Sequence, residues 1–253
     1  MSKLWIYTNY DCNLKCSYCS VESSPAAPRR ALSLATVQQL VDEAVALDFF
    51  EVFFTGGEPF LLDEIYEMLA YASARLKTTV LTNAMLLNGS RFERLCAIKH
   101  DSLIVQVSLD GAQPEQHDAY RGAGSWIKTV DGLKALQANG FRVRLATTET
   151  PANSAHLAEV CELHRSLGIP EEDHLIRPLA RRGFSSSGME VGIATLAPEL
   201  TVNAEGVFWH PLSTAADMQF GQQIFPLAGA RDRMCQIAEE IARMGTVPPI
   251  AFT

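Results

Sequence analysis

Short apolar runs alternate along the chain with segments whose apolar residues recur every three or four positions, the pattern of strands each followed by an amphipathic helix. Leu4 to Thr8 reads as a strand. After a long loop, Ser33 to Asp48 sets Leu34, Val37, Leu40, Val41, Ala44 and Val45 at helical spacing behind a serine cap. Glu51 to Thr55 predicts a second strand, Asp63 to Leu76 a helix, Thr78 to Leu81 a strand, Ser90 to Ile98 a shorter helix, and Leu103 to Leu109 a strand. The next helix runs from about Trp126 to Ala138 and stops at Gly140, where a left-handed cap carries no Cβ penalty. A strand over Arg142 to Thr147, a helix over Ser154 to Leu167 ended by Gly168, and a strand over His174 to Arg177 complete the series.

Six such alternations predict an α/β fold of parallel strands joined by right-handed crossovers, short of the closed eight-fold barrel. In that architecture the chemistry collects at the carboxyl ends of the strands. Beyond Ala180 the pattern changes. Arg181 to Gly188 is loop-like, and Leu200 to Trp209 has the strand-turn-strand form of a hairpin. The expected division is therefore a core over residues 1–182 and a small C-terminal extension over 183–253.

Composition narrows the class. With 47% hydrophobic and 20% charged residues in 253, the chain is a globular protein rather than a disordered or coiled-coil one. No apolar stretch approaches the length of a membrane span and no signal-peptide pattern opens the chain, so a cytoplasmic protein without a membrane partner is expected. A net charge of −8 argues against a phosphate-tracking surface and hence against nucleic acid as a partner.

Half of the six cysteines fall in one loop after the first predicted strand, in Cys12-Asn-Leu-Lys-Cys16-Ser-Tyr-Cys19; Cys96, Cys161 and Cys235 are scattered. Clustered thiols in a chain of this size without an export signal point to metal or redox chemistry rather than to a disulfide framework. Three thiolates on one tight loop can hold three irons of a four-iron cubane and leave the fourth iron open to a small molecule. Zinc in a structural role is the competing reading, but it wants four ligands and no second pair is present. After the second strand comes Thr55-Gly56-Gly57-Glu58-Pro59. Paired glycines let backbone approach a ligand closely, and a carboxylate complements an ammonium group.

With these residues the chain resembles the radical S-adenosylmethionine (SAM) superfamily, whose signature is CxxxCxxC after the first strand of a partial (β/α)6 barrel. The resemblance implies one [4Fe-4S] cluster on Cys12, Cys16 and Cys19 and a bound SAM. Gly56, Gly57, Glu58 and Pro59 match the family's GGEP motif, which meets the methionine amino group. Thr82-Asn83 matches its TNG, with Ala84 in place of glycine. Ser108-Leu109-Asp110-Gly111 and Asp118-Ala-Tyr120-Arg121-Gly122 resemble the SLDG and HDxxRG elements of the branch holding peptide-modifying and sulfatase-maturing enzymes. By that likeness Ser108 and Arg121 hold the cofactor's carboxylate or ribose, while Tyr18 and the Arg177-Pro178-Leu179 stretch lie beside the adenine. Arg121 as a plain ion pair and Asp110-Gly111 as a plain turn remain open readings.

The implied reaction is reductive cleavage of SAM to a 5′-deoxyadenosyl radical that takes hydrogen from a peptide, small natural product or cofactor precursor. The electron would come from an external donor of flavodoxin or ferredoxin type. A non-catalytic cluster carrier or regulator on the same barrel is the alternative. The chain also departs from its branch. The hairpin is present, but His210 stands where relatives place a cysteine and only Cys235 follows, so no auxiliary cluster is expected. Cys12 lies close to the start, so no leader-binding domain is expected either. The segment Val21 to Leu32 reads equally as a lid or an ordinary loop, and His117 as structural before catalytic. From Pro211 onward there is no resemblance.

Overall fold

The computed structural model describes residues 3–243; Met1, Ser2 and the last ten residues of the expected extension lie outside the described residues. Strand and helix alternate as β1 (Lys3–Tyr7), α1 (Leu34–Ala46), β2 (Glu51–Thr55), α2 (Ile65–Ser73), β3 (Lys77–Thr82), α3 (Gly89–Ala97) and β4 (Leu103–Ser108). There follow α4 (Pro114–Arg121), α5 (Ser125–Ala138), β5 (Arg142–Glu149), α6 (Leu157–Ser166) and β6 (His174–Pro178). The C-terminal part adds β7 (Leu200–Asn203), β8 (Gly206–Phe208), β9 (Gln219–Gly221) and α7 (Leu227–Arg243).

The nine strands of the described residues join one sheet in the order β6-β5-β4-β3-β2-β1-β7-β8-β9. Neighbours from β6 to β1 pair in parallel, and β6 and β9 form open edges, so the six βα units make a partial barrel. Strand β2, Glu-Val-Phe-Phe-Thr, is buried at every position, as a parallel strand covered on both faces must be. Helix α1 turns Val37, Leu40, Val41 and Ala44 into the core behind the Ser33 cap, whose hydroxyl accepts from Thr36 N at 3.1 Å.

Two features were not expected from apolar spacing. Helix α4, Pro-Glu-Gln-His-Asp-Ala-Tyr-Arg, buries Gln116, His117 and Arg121, a polar face that hydrophobic periodicity does not reveal. The hairpin of β7 and β8 continues the main sheet, with β7 parallel to β1 and Leu4, Trp5 and Ile6 opposite Leu200, Thr201 and Val202. Its turn is closed by Asn203, whose Oδ1 accepts from Glu205 N at 2.7 Å and Gly206 N at 3.1 Å. Among the described residues no helix is long and apolar enough to cross a membrane.

Candidate functional site

The residues after β1 form a stem that carries the cysteine loop. The Gly56-Gly57 turn after β2 lies directly on that stem: Gly57 N donates to Asn9 O at 2.9 Å and Glu58 N to Asp11 O at 3.0 Å. A Cβ on Gly56 would fall 2.3 Å from Asn9 O, and one on Gly57 2.0 Å from Asp11 O. Gly56 also has φ +144°. The glycines are thus required by the approach of one backbone to another, in addition to whatever ligand they meet. The Asn9 side chain ties the layers together, donating from Nδ2 to Glu58 O and Asp11 O.

Segment Val21 to Leu32 is bound along the same stem and is not a detached lid. Cys12 N donates to Ser24 O at 3.2 Å, Tyr10 N to Arg29 O at 2.8 Å, and Leu32 N to Thr8 O at 3.0 Å. Arg29 adds an ion pair with Asp11 at 2.7 Å.

Glu58 is buried, and its carboxylate is occupied by protein donors: Oε1 accepts from Thr82 Oγ1 at 2.8 Å and Phe60 N at 3.2 Å, and Oε2 from Asn83 N at 2.9 Å. Burial pushes its pKa up to about 7 against the pull of those donors. The carboxylate therefore locks the glycine turn to the end of β3. Asn83 in turn donates to Asn13 Oδ1 at 2.8 Å, inside the cysteine loop.

The ends of β4 and α4 supply a second anchor. Asp110, fully buried, accepts from Arg121 Nε at 2.6 Å and Nη2 at 3.4 Å, from Thr148 N at 2.9 Å, and from the Tyr18 hydroxyl. Burial alone would raise the Asp110 pKa, but the Arg121 guanidinium overcomes it and holds the carboxyl below its usual range. Arg121 also lies 5.4 Å from the Tyr18 ring centre. Since Tyr18 sits between Cys16 and Cys19, this buried pair positions the cysteine loop. Arg121 is no surface ion pair, and the Asp110-Gly111 stretch is more than a turn. His117 is wholly buried, accepts from Asp110 N at 3.1 Å through Nδ1, and has its pKa lowered by burial to about 4. It is a neutral support for Asp110 and does not face the cavity described next.

At the carboxyl ends of the strands lies a cavity of about 230 Å3. Cys12, Cys16 and Cys19 line it together with Tyr18, Gly56, Gly57, Asn83, Ser108, Arg121 and Leu179. Glu58 and Pro59 stand behind this wall and do not line it. Burial, the largest influence on both, pushes the Cys12 thiol up to about 12 and the Cys16 thiol to about 11. At neutral pH both stay protonated until a cation is present to stabilise the thiolate.

The wall also contains residues that no motif marked and others whose use the sequence left open. Tyr7 and Thr148 face the cavity, and so do His210, Pro211 and Leu212 from beyond the hairpin. The Tyr7 hydroxyl donates to Pro211 O, and Tyr10 pairs with Thr214 while accepting from Asn203 Nδ2 at 2.6 Å, so the C-terminal part is fastened to the cysteine stem. Arg177 is the most consequential. It lines the cavity, yet its Nε and Nη2 are buried without a hydrogen-bond partner among the described residues. Burial draws its pKa down to about 10. His210, across the same space, is lowered to about 3 by burial and by Arg177. The Arg177-Pro178-Leu179 stretch and the place of His210 after the hairpin were the available sequence signals; nothing local marked Tyr7 or Thr148.

Comparison with known proteins agrees with this geometry. The mycofactocin maturase MftC of Mycobacterium ulcerans is 34% identical over 174 residues, 68% of this chain and 46% of that protein. An AdoMet-dependent heme synthase of Methanosarcina barkeri is 30% identical over 159 residues, 62% of this chain and 45% of that protein. The chain thus spans under half the length of these curated relatives. Among solved structures, anSMEcpe with bound AdoMet superposes with a TM-score of 0.71 at 15% identity, over 95% of this chain and 83% of that one, which establishes the shared fold. The Radical SAM superfamily matches residues 6–152, more than half of the sequence and the whole run from the cysteine stem to the end of β5, and the chain belongs to that superfamily.

Proposed function

We propose that this chain is the core of a radical SAM enzyme that modifies a peptide, with one [4Fe-4S] cluster on Cys12, Cys16 and Cys19. The observation that carries the reading is the convergence, on one cavity, of three thiols from a single loop with the strand-end residues of the barrel. The thiols suit a cluster better than a single ion. Three thiols fall one short of the four ligands of structural zinc, whereas in a four-iron cluster they hold three irons and leave the fourth open to a small molecule. When bound, a reduced cluster supplies an electron to SAM, whose cleavage yields methionine and a 5′-deoxyadenosyl radical able to take hydrogen from a substrate carbon.

The chain's own residues hold and shield. The Gly56-Gly57 turn keeps the cysteine stem in register through two backbone hydrogen bonds. Asp110 aims Arg121 and holds Tyr18, while Ser108 and Asn83 present polar groups at the adjoining strand ends. Arg177, buried and unsatisfied at Nε and Nη2, is the natural partner of a carboxylate or ribose oxygen of the cofactor. Leu179, Tyr7 and the His210-Pro211-Leu212 stretch narrow the space and exclude water from a radical. The peptide assignment is supported by MftC, a maturase, and by anSMEcpe, which has also been solved with AdoMet and a peptide. The heme synthase relative favours a cofactor precursor as the second reading. An external flavodoxin or ferredoxin-type donor completes the proposal. Residues 183–253 are read as an extension without a cluster of its own.

The test is anaerobic reconstitution with iron and sulfide, followed by dithionite and SAM. About four irons per chain and 5′-deoxyadenosine by mass spectrometry are expected. Cys16→Ala should lose both. Iron retained in that variant would refute the cluster assignment, four irons without SAM cleavage would favour a carrier, and iron well beyond four would overturn the cluster-free extension.

A further inference from the structure

We propose that Cys161, His164 and His174 form a binding site for one zinc-type transition-metal ion between α6 and β6, separate from the cysteine loop. Cys161 and His164 stand three residues apart on α6 and so share a face, and His174 opens β6 beneath them. One ligand atom from each residue lies within 4.8 Å of the other two.

The hydrogen bonds determine what each imidazole offers. His164 is wholly buried, and its Nδ1 lies 3.1 Å from Ile169 O, which can only accept. Nδ1 therefore carries the proton and Nε2 presents a lone pair. That Nε2 is buried with no hydrogen-bond partner among the described residues. His174 Nε2 lies 2.8 Å from Thr147 Oγ1, whose own hydrogen is given to Leu109 O at 2.7 Å. The Thr147 oxygen is left to accept, so His174 is protonated at Nε2 and turns the Nδ1 lone pair toward Cys161 Sγ, 3.9 Å away. Two imidazole lone pairs and a thiol thus converge, and each ring is oriented by an acceptor on its far nitrogen, the outer-shell arrangement typical of metal-ligating histidines.

The donor set selects the ion. One thiolate with two imidazoles suits Zn2+, whereas Mg2+ and Ca2+ require oxygen ligands that are not among these three. Bonds of about 2.0 Å to nitrogen and 2.3 Å to sulfur place tetrahedral ligands about 3.3 to 3.6 Å apart, close to the 3.9 Å that separates Cys161 Sγ from His174 Nδ1. Binding converts the Cys161 thiol to a thiolate and releases one proton, and a water takes the fourth position beside the partly exposed Cys161 and His174. The site lies on the sheet face opposite the cavity: Arg177 and Thr148 line the cavity, while His174 and Thr147 have the opposite strand parity. The ion would fasten the open edge strand β6, which carries Arg177, to its covering helix.

The site is tested by Co2+ titration of the full chain carrying Cys12→Ala, Cys16→Ala and Cys19→Ala, which removes the clustered thiols of the cysteine loop. One equivalent with a thiolate-to-cobalt charge-transfer band is expected, displaced by Zn2+, lost in Cys161→Ser and weakened more than tenfold in His174→Gln. A band that survives Cys161→Ser, or no saturable band, overturns the proposal. Should the triple variant fail to fold, the reconstituted wild-type holoenzyme is analysed by elemental mass spectrometry. One zinc per chain beside its iron, falling to none in His174→Gln with iron unchanged, supports the site, and zinc absent from the wild type refutes it.

Discussion

Replacing Asp110 with asparagine leaves the shape of the site and removes the charge that Arg121 was buried to meet. Asp110 accepts from Arg121, Thr148 N and the Tyr18 hydroxyl with no exposure of its own, and Arg121 is itself only 8% exposed. Breaking one side of a buried ion pair costs about 3–5 kcal/mol, because the remaining charge stays desolvated. Asparagine keeps one acceptor for Thr148 N, so the lower end is expected, about 3 kcal/mol, or a fall in Tm of about 6–12 °C for a chain of this size. Urea unfolding at pH 7 followed by tryptophan fluorescence measures the loss. Asp110→Asn combined with Arg121→Met should be less damaging than the sum of the two, since no orphaned charge remains.

The pH dependence carries its own sign. A carboxyl held below its unfolded value of 3.8 gives stability that is fully present above that pH and is lost as pH falls through the folded value. The gap between wild type and Asp110→Asn should therefore stay constant from pH 5 to 8 and narrow below about pH 4. A loss under about 1 kcal/mol at pH 7, or a gap that does not narrow in acid, would refute the view that this pair anchors the cysteine loop.

Gly57→Ala forces a methyl to within 2.0 Å of Asp11 O, so two stem hydrogen bonds should break at a cost of about 2–4 kcal/mol. Denaturation together with iron incorporation reports whether the cysteine stem has moved, and an unchanged midpoint would count against the packing described. Arg177→Met removes two unsatisfied buried donors, so stability should hold while SAM affinity falls about 10–100-fold, read by calorimetry on reconstituted protein. Equal affinity would show that Arg177 does not touch the cofactor. Asn203→Ala should cost about 1–2 kcal/mol in urea unfolding by releasing the hairpin turn and the Tyr10 contact.

The alternation of strands and helices through β6 was legible in the sequence except for α4, because apolar spacing reports which face of each element is covered without naming what covers it. Leu4 to Thr8, Ser33 to Asp48 and the later alternations all appear within a few residues of their expected bounds. Helix α7 carries the same kind of spacing in Leu227, Ala230, Met234, Ile237 and Ile241, but the elements expected from the sequence ended at the hairpin and did not include it. Covalent spacing likewise put three thiols on one loop. Helix α4 escaped, since a helix whose buried face is Gln116, His117 and Arg121 has no apolar stripe to read.

Only the tertiary structure decided how those residues are used. Glu58 faces the donors of β3, the glycines answer to Asn9 and Asp11, and the hairpin lies beside β1, bringing His210 and Leu212 to a cavity begun two hundred residues earlier. The pairing of Cys161 and His164 with His174 spans a helix, a loop and a strand. Each of these depends on which polar group finds a partner when water is removed. That is settled by the neighbours the fold supplies, and local sequence does not encode them.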